Sequence, residues 1–218
     1  WHYCLPKRWI NLGVTQTAGE SLNWFKHAFD GGRDDAGAGD IFGEYNRAIA
    51  DIPDGSEGLI FLPYLNGART PHWDADARGV FFGLGLQHQK AHFIKAIMEG
   101  VSYALRDNVE SVEDLGVTVD AVRAVGGGLK SPAWRTSLAR ILSRPIETVE
   151  RPDTGNLGNA ILSAVGTKEY DSPETAVGAM VSGGSRMNEE SQPALEKGYE
   201  KYKALYRSLR PVFKNNDT

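Results

Sequence analysis

Cysteine is nearly absent from this 218-residue chain. Cys4 is its one example, so neither an internal disulfide nor a cysteine-based metal cluster can form. That usage fits a reducing, intracellular compartment, and a cytoplasmic protein is expected. A basic surplus is lacking too: 24 Lys and Arg against 28 Asp and Glu leave a formal net charge of -4. With no Lys/Arg run, the balance argues against a nucleic-acid or membrane-surface binder. No stretch approaches the roughly 18 apolar residues of a membrane span, and no signal-peptide pattern opens the chain. A first residue of Trp1 rather than Met reads as a piece of a longer protein. What is present is ordinary for a globular chain: 41% hydrophobic and 24% charged residues, in a length that suits one large domain with a sizeable core.

Periodicity gives the elements. The segment from Trp1 to Leu12 reads as two short strands around Pro6, and Thr15 to Phe29 as a helix with Leu22, Phe25 and Phe29 on one side. Gly31 to Gly39 is a glycine-rich break, and Asp40 to Ile49 a second helix ended by the Asp54-Gly55 turn. Leu59 to Leu62 and Val80 to Phe82 read as strands separated by a polar loop, Asn66 to Arg78. Lys90 to Glu113 is the clearest helix. Ile94, Ile97, Val101 and Ala104 are expected inward, and Lys95, Glu99, Ser102, Arg106 and Glu110 outward. Gly100 in its middle costs about 1 kcal/mol against Ala, which predicts close packing of another backbone. From Ala121 the chain alternates strand and helix: Ala121–Val125, Pro132–Leu142, Ile146–Val149 and Asn156–Ala164. Such alternation predicts a sheet covered by crossover helices. Ser172 and Pro173 open a further helix, Gly183-Gly184 reads as a break, and Ala194 to Leu209 as a last helix carrying Tyr199, Tyr202 and Tyr206 and stopped by Pro211.

The stretch that speaks of chemistry is Val125-Gly126-Gly127-Gly128-Leu129-Lys130-Ser131-Pro132, between a strand and a helix. Three glycines remove Cβ atoms where a strand ends, so a ligand can touch backbone. The next helix opens near Ser131, with Pro132 in its first turn, and aims its free N–H groups and dipole at that opening. A phosphate or nucleotide suits such a turn, and so does a tight packing turn with no ligand. The Walker loop is excluded because Leu129 precedes Lys130, and the dinucleotide fingerprint because Ser131 stands at its third glycine.

Four ordered stretches between residues 59 and 146, Phe61–Pro71, Arg78–Leu84, Ala96–Asp107 and Val125–Leu142, together resemble xylulokinases of the FGGY family of carbohydrate kinases. Phe61-Leu62-Pro63-Tyr64-Leu65-Asn66-Gly67-Ala68-Arg69-Thr70-Pro71 resembles their Leu-Pro-x-x-x-Gly-Glu-Arg-x-Pro segment, and Arg78-Gly79-Val80-Phe81-Phe82-Gly83-Leu84 the Arg-Gly-x-x-x-Gly-Leu that follows it. Ala96 to Asp107 resembles an Ala-x-x-Glu-Gly helix, and Val125 to Leu142, running on to Arg144-Pro145, the adenosine-site strand and helix. The resemblance implies an α/β, actin-like (ribonuclease H-like) ATPase lobe, with a mixed sheet, flanking helices and the first strand missing. Residues 1–218 would be the C-terminal, nucleotide-binding lobe of a two-lobed kinase that moves the γ-phosphate of ATP, with Mg²⁺, to a sugar hydroxyl of D-xylulose or a related ketose or polyol.

On the same resemblance Gly127 and Ser131 line the adenosine pocket, and Gly126 and Gly128 let the nucleotide approach. Ala18-Gly19-Glu20-Ser21-Leu22-Asn23-Trp24 resembles a helix that meets the nucleotide from the other side. That makes Gly19 and Asn23 contacts, with a solvated helix position as the other reading of Asn23. The aspartate base and most of the sugar site belong to the first lobe, so no catalytic residue is assigned here and the chain alone is expected to be inactive. Partners are then the sugar, held mainly by that first lobe, with no nucleic acid and no membrane; homodimerisation is left open. His72, Asp74 and Asp76 read as a loop rather than a metal site, and His88 and His92 as surface residues. Arg69 reads equally as a cleft residue or a loop ion pair, Lys130 as exposed, and Trp134 as a core aromatic. Ala68 replaces the family's Glu, and Asp153 to Ala160 matches an Ala-Leu-Gly-Ala-Ala segment only loosely. Both departures bear on the sugar more than on the kinase. The alternative to a kinase lobe is a non-catalytic actin-like module with a decayed nucleotide site.

Overall fold

A computed structural model describes residues 2–5, 7–31, 40–149 and 153–214. The element at its centre is α3 (Lys90–Glu113), against which α1 (Ala18–Phe29), α2 (Ile41–Ala48) and the strand β1 (Ile60–Leu62) pack. β1 pairs antiparallel with β2 (Val80–Phe82), Phe61 opposite Phe81. Leu22, Phe25, Tyr45, Phe61, Ile94 and Ile97 are buried in one cluster there. Gly100 is explained: a Cβ at that position would run into the Phe61 carbonyl oxygen, so α3 lies on the backbone of β1. Glu99 and Ser102, expected outward, are buried instead. The loop at residues 55–58 brings the Gly55 N–H and Ser56 hydroxyl onto the Glu99 carboxylate, and Ser102 donates back to the Met98 carbonyl at 2.8 Å. Burying a charge so closely partnered is tolerable; burying a bare one is not.

The second sheet orders β3 (Val122–Ala124), β4 (Ile146–Val149) and β5 (Gly183–Met187), parallel then antiparallel. α4 (Pro132–Leu142) crosses from β3 to β4 and packs on α3; α5 (Thr154–Gly166) and α6 (Pro173–Met180) follow as a pair. Gly183-Gly184, expected as a break, opens β5, because a Cβ at Gly184 would overlap the Thr148 carbonyl of β4. The last helix, α7 (Pro193–Phe213), continues past Pro211, which falls in its final turn where only two helical residues remain. Its tyrosines are buried against α3 and the 64–78 loop. Tyr199 donates to Asp107 at 2.6 Å, Tyr206 donates to Asp74 at 2.9 Å, and the Tyr64 and Tyr202 hydroxyls meet at 2.6 Å.

At the start of the chain the two expected strands reduce to one isolated bridge, His2 with Trp9, and Trp9 is 72% exposed. Among the described residues no further strand pairs with it, and a two-stranded ribbon is marginal on its own. α1 begins at Ala18 rather than Thr15, Thr17 instead donating its hydroxyl to the Pro63 carbonyl. The expected break after Gly31, residues 32–39, lies outside the described residues. Among those described, no helix is long and apolar enough to cross a membrane.

Candidate functional site

A cavity of about 870 Å³ opens where α1, α2, α3 and the N-terminus of α4 meet. Gly127 and Gly128 of the glycine triplet line it, wound into a 3₁₀ turn, Gly127–Lys130. Gly126 leads into that turn with φ +123°, a conformation that L side chains rarely adopt, so glycine is needed there for the bend itself. Ser131 then caps α4: its hydroxyl accepts the Trp134 N–H at 3.1 Å and donates to Asn46 Oδ1 on α2. Pro132 follows at the first helical position, where it forfeits no bond.

Five of the six residues singled out in the sequence line this one cavity: Gly19, Asn23, Gly127, Gly128 and Ser131. Gly126 is not among the lining residues. The glycines serve differently. A Cβ built at Gly19 or Gly127 meets nothing within 4 Å, whereas at Gly128 it would press on the Trp134 ring at 3.1 Å. Gly128 is therefore a packing glycine, while Gly19 and Gly127 leave open space in the cavity. Asn23 is half-buried, and its amide also donates to Glu20 at 3.1 Å. Lys130 lines the cavity, and Trp134 does so while belonging to the core, as expected of it.

Sequence reading missed the wall supplied by α2, which contributes Phe42, Gly43 and Asn46, with Asp40 at its N-cap accepting the Gly43 N–H at 2.9 Å. Leu22 and Met98 were also missed. The signal for α2 was there in part: Ile41 and Tyr45 point to the core, which leaves Phe42 and Asn46, four apart, sharing another face.

Behind the cavity, α3 and α4 are joined by charge. Asp54 receives Lys95 at 3.0 Å and Arg140 at 2.8 Å, and Arg140 also meets Glu189 at 3.2 Å. Glu99 sits inside this cluster. Its burial raises the carboxyl to about 7, against the lowering pull of Ser56, Gly55 and Lys95. Arg140 is held above its ordinary value by Asp54 and Glu189, despite the opposing effect of burial.

The other residues considered in the sequence lie elsewhere. Arg69 donates to Gln16 at 3.2 Å, and His72 Nε2 faces Asp107 at 3.4 Å. Asp74 is buried under Tyr206. His92, expected at the surface, is buried; its Nδ1 accepts the Gln89 N–H at 3.0 Å and caps α3. Among the described residues no group of three or more His, Cys, Asp or Glu could hold a metal ion.

The arrangement offers an apolar slot between Leu22, Phe42, Met98 and Trp134, edged by amide and hydroxyl groups and floored by bare backbone. A flat, heteroaromatic ligand with a polar tail fits that description. A model of the C-terminal domain of the FGGY family of carbohydrate kinases matches residues 2–167. A xylulose kinase of Staphylococcus epidermidis is 33% identical over 213 residues, 97% of this chain and 42% of that protein. A gluconokinase of Bacillus subtilis is 31% identical over 213 residues, 96% of this chain and 40% of its own length. Among solved structures, the xylulose kinase of Rhodospirillum rubrum superposes with a TM-score of 0.77 at 29% identity, covering 90% of this chain and 39% of that one. The chain thus spans about two fifths of each relative's length, and its fold is the α/β actin-like lobe expected.

Proposed function

The chain belongs to the FGGY family of carbohydrate kinases, as its C-terminal domain, and on that premise we propose that it forms the nucleotide-binding half of an ATP-dependent sugar kinase. The observation that carries the reading is the convergence of Gly19, Asn23, Gly127 and Ser131 on one cavity, with open space where Cβ atoms at Gly19 and Gly127 would stand. The adenine and ribose of ATP or ADP lie in the apolar slot, with the phosphates toward the cavity's mouth. Nothing in the fold or the comparisons favours the decayed, non-catalytic module.

Phosphoryl transfer mostly demands positioning and charge neutralisation around the γ-phosphate. This half supplies the grip on the nucleotide. The sugar site and the base that orients its hydroxyl are assigned to an N-terminal lobe, and these 218 residues alone are expected to show no turnover. A Mg²⁺ ion would arrive with the nucleotide, held by phosphate oxygens and water. The sugar is D-xylulose or a related ketose or polyol, in keeping with relatives that are xylulose kinases. The single cysteine, exposed and unpaired, suits a cytoplasmic enzyme.

Calorimetric titration of the chain with ADP and Mg²⁺, beside a Gly127→Val variant, tests the reading. The variant's side chain projects into open cavity, so saturable binding is expected to vanish while the melting temperature holds. Equal binding by both proteins would refute the assignment.

A further inference from the structure

Side chains that line a cavity select a ligand only when they have bonding capacity left over. Asn46 has. Its Oδ1 accepts the Ser131 hydroxyl, which itself accepts the Trp134 N–H at 3.1 Å. The single proton of that hydroxyl goes to Asn46 Oδ1, which places the amide oxygen toward Ser131 and the NH₂ group away from it. Among the described residues the Asn46 amide nitrogen has no hydrogen-bond partner, and Asn46 is half-buried in the cavity wall. Phe42 stands one turn earlier on the same face of α2, is 36% exposed, and lines the same cavity. Met98 and Trp134 make this the apolar end, where a ring system is accommodated better than phosphate.

We propose that Asn46 is a nucleobase-contacting residue, donating its NH₂ to a ring nitrogen or carbonyl oxygen on the base edge while Phe42 packs against the base face. The inference rests on the nucleotide reading of this cavity and adds the group that faces the base. It also gives the Ser131 hydroxyl a second task. Besides capping α4, it sets which end of the Asn46 amide the ligand meets.

The decisive variant is Asn46→Asp. It keeps an oxygen for Ser131, so the tether between α2 and α4 survives, but it exchanges two donors for an acceptor. Adenosine, which is uncharged, and ADP with Mg²⁺ are each titrated calorimetrically into wild type, Asn46→Asp, Asn46→Leu and Gly127→Val. About tenfold weaker binding of both ligands to Asn46→Asp, at an unchanged melting temperature, is expected. Asn46→Leu is expected to lose as much affinity and some thermal stability, because Ser131 then lacks an acceptor. If Asn46→Asp binds both ligands as wild type does while Gly127→Val binds neither, Asn46 is only a tether and the proposal is overturned. A loss confined to ADP would also overturn it, since repulsion between carboxylate and phosphate would account for that pattern. If wild type binds neither ligand, the nucleotide reading itself falls and takes this inference with it.

Discussion

Replacing Glu99 by Gln tests the charge arrangement behind the cavity. The Glu99 carboxyl is 2% exposed and accepts the Gly55 N–H at 2.9 Å and the Ser56 hydroxyl at 2.8 Å. Burial raises it from an ordinary 4.5 to about 7. Between those two values the folded chain keeps the proton and the unfolded chain has released it. Folding therefore takes up a proton, and stability falls as pH rises through that window, levelling above 7. At about 1.4 kcal/mol per pH unit, the ionised carboxyl costs the fold about 3 kcal/mol by pH 8 relative to pH 4.5. Gln cannot ionise and keeps an oxygen for the Gly55 N–H, so its stability lacks this term. Urea denaturation of both proteins at steps from pH 4.5 to 8 isolates it, because the remaining carboxylates cancel in the difference. The Gln variant should gain on wild type as pH rises, by about 3 kcal/mol across the series. A difference that stays flat with pH would refute the reasoning and show that Lys95 and the hydrogen bonds hold Glu99 ionised throughout.

Gly100→Ala should lower stability by about 2 kcal/mol, since the new methyl meets the Phe61 carbonyl and outweighs the gain in helix propensity; a higher denaturation midpoint would contradict that packing. Ser131→Ala removes the cap of α4 and the partner of Asn46, and should cost about 1 kcal/mol in urea denaturation together with weaker ADP binding. Tyr199→Phe strips one hydroxyl from Asp107 and Glu110 at once and should cost about 1 to 2 kcal/mol, read as a fall in melting temperature.

Most of the fold, and part of the site, was legible in the sequence. Strand, glycine turn, Ser131 and Pro132 follow in an order that local chemistry dictates, and the structure builds them as a strand, a 3₁₀ turn and a capped helix. Gly100 likewise announced a backbone neighbour. The failures share a cause. Glu99 was read outward because a carboxylate on a helix flank ordinarily is, and its partners, Gly55 and Ser56, lie more than forty residues earlier in the chain. Phe42, Gly43 and Asn46 belong to an eight-residue helix, too short to show which of its apolar residues faces a ligand and which the core. Ser131 reaches Asn46 across 85 positions, a distance over which no local pattern carries information. Gly184 looked like a break because its missing side chain was taken for freedom, when it makes room for the Thr148 carbonyl.

α3 has one more implication. Every residue from Ala96 to Ala104 is buried, with Met98 at the cavity, Glu99 in the charge cluster, Gly100 on β1 and Tyr103 against α7. An ordinary surface helix can drift along its wet side while its dry side is held by selection. This segment has no wet side. A saturation library should therefore show it as an unbroken block of intolerance rather than a stripe recurring every three or four positions. Any accepted change there would need a second, compensating change in whichever neighbour that residue touches: the cavity wall, the 55–58 loop, the strand or the last helix.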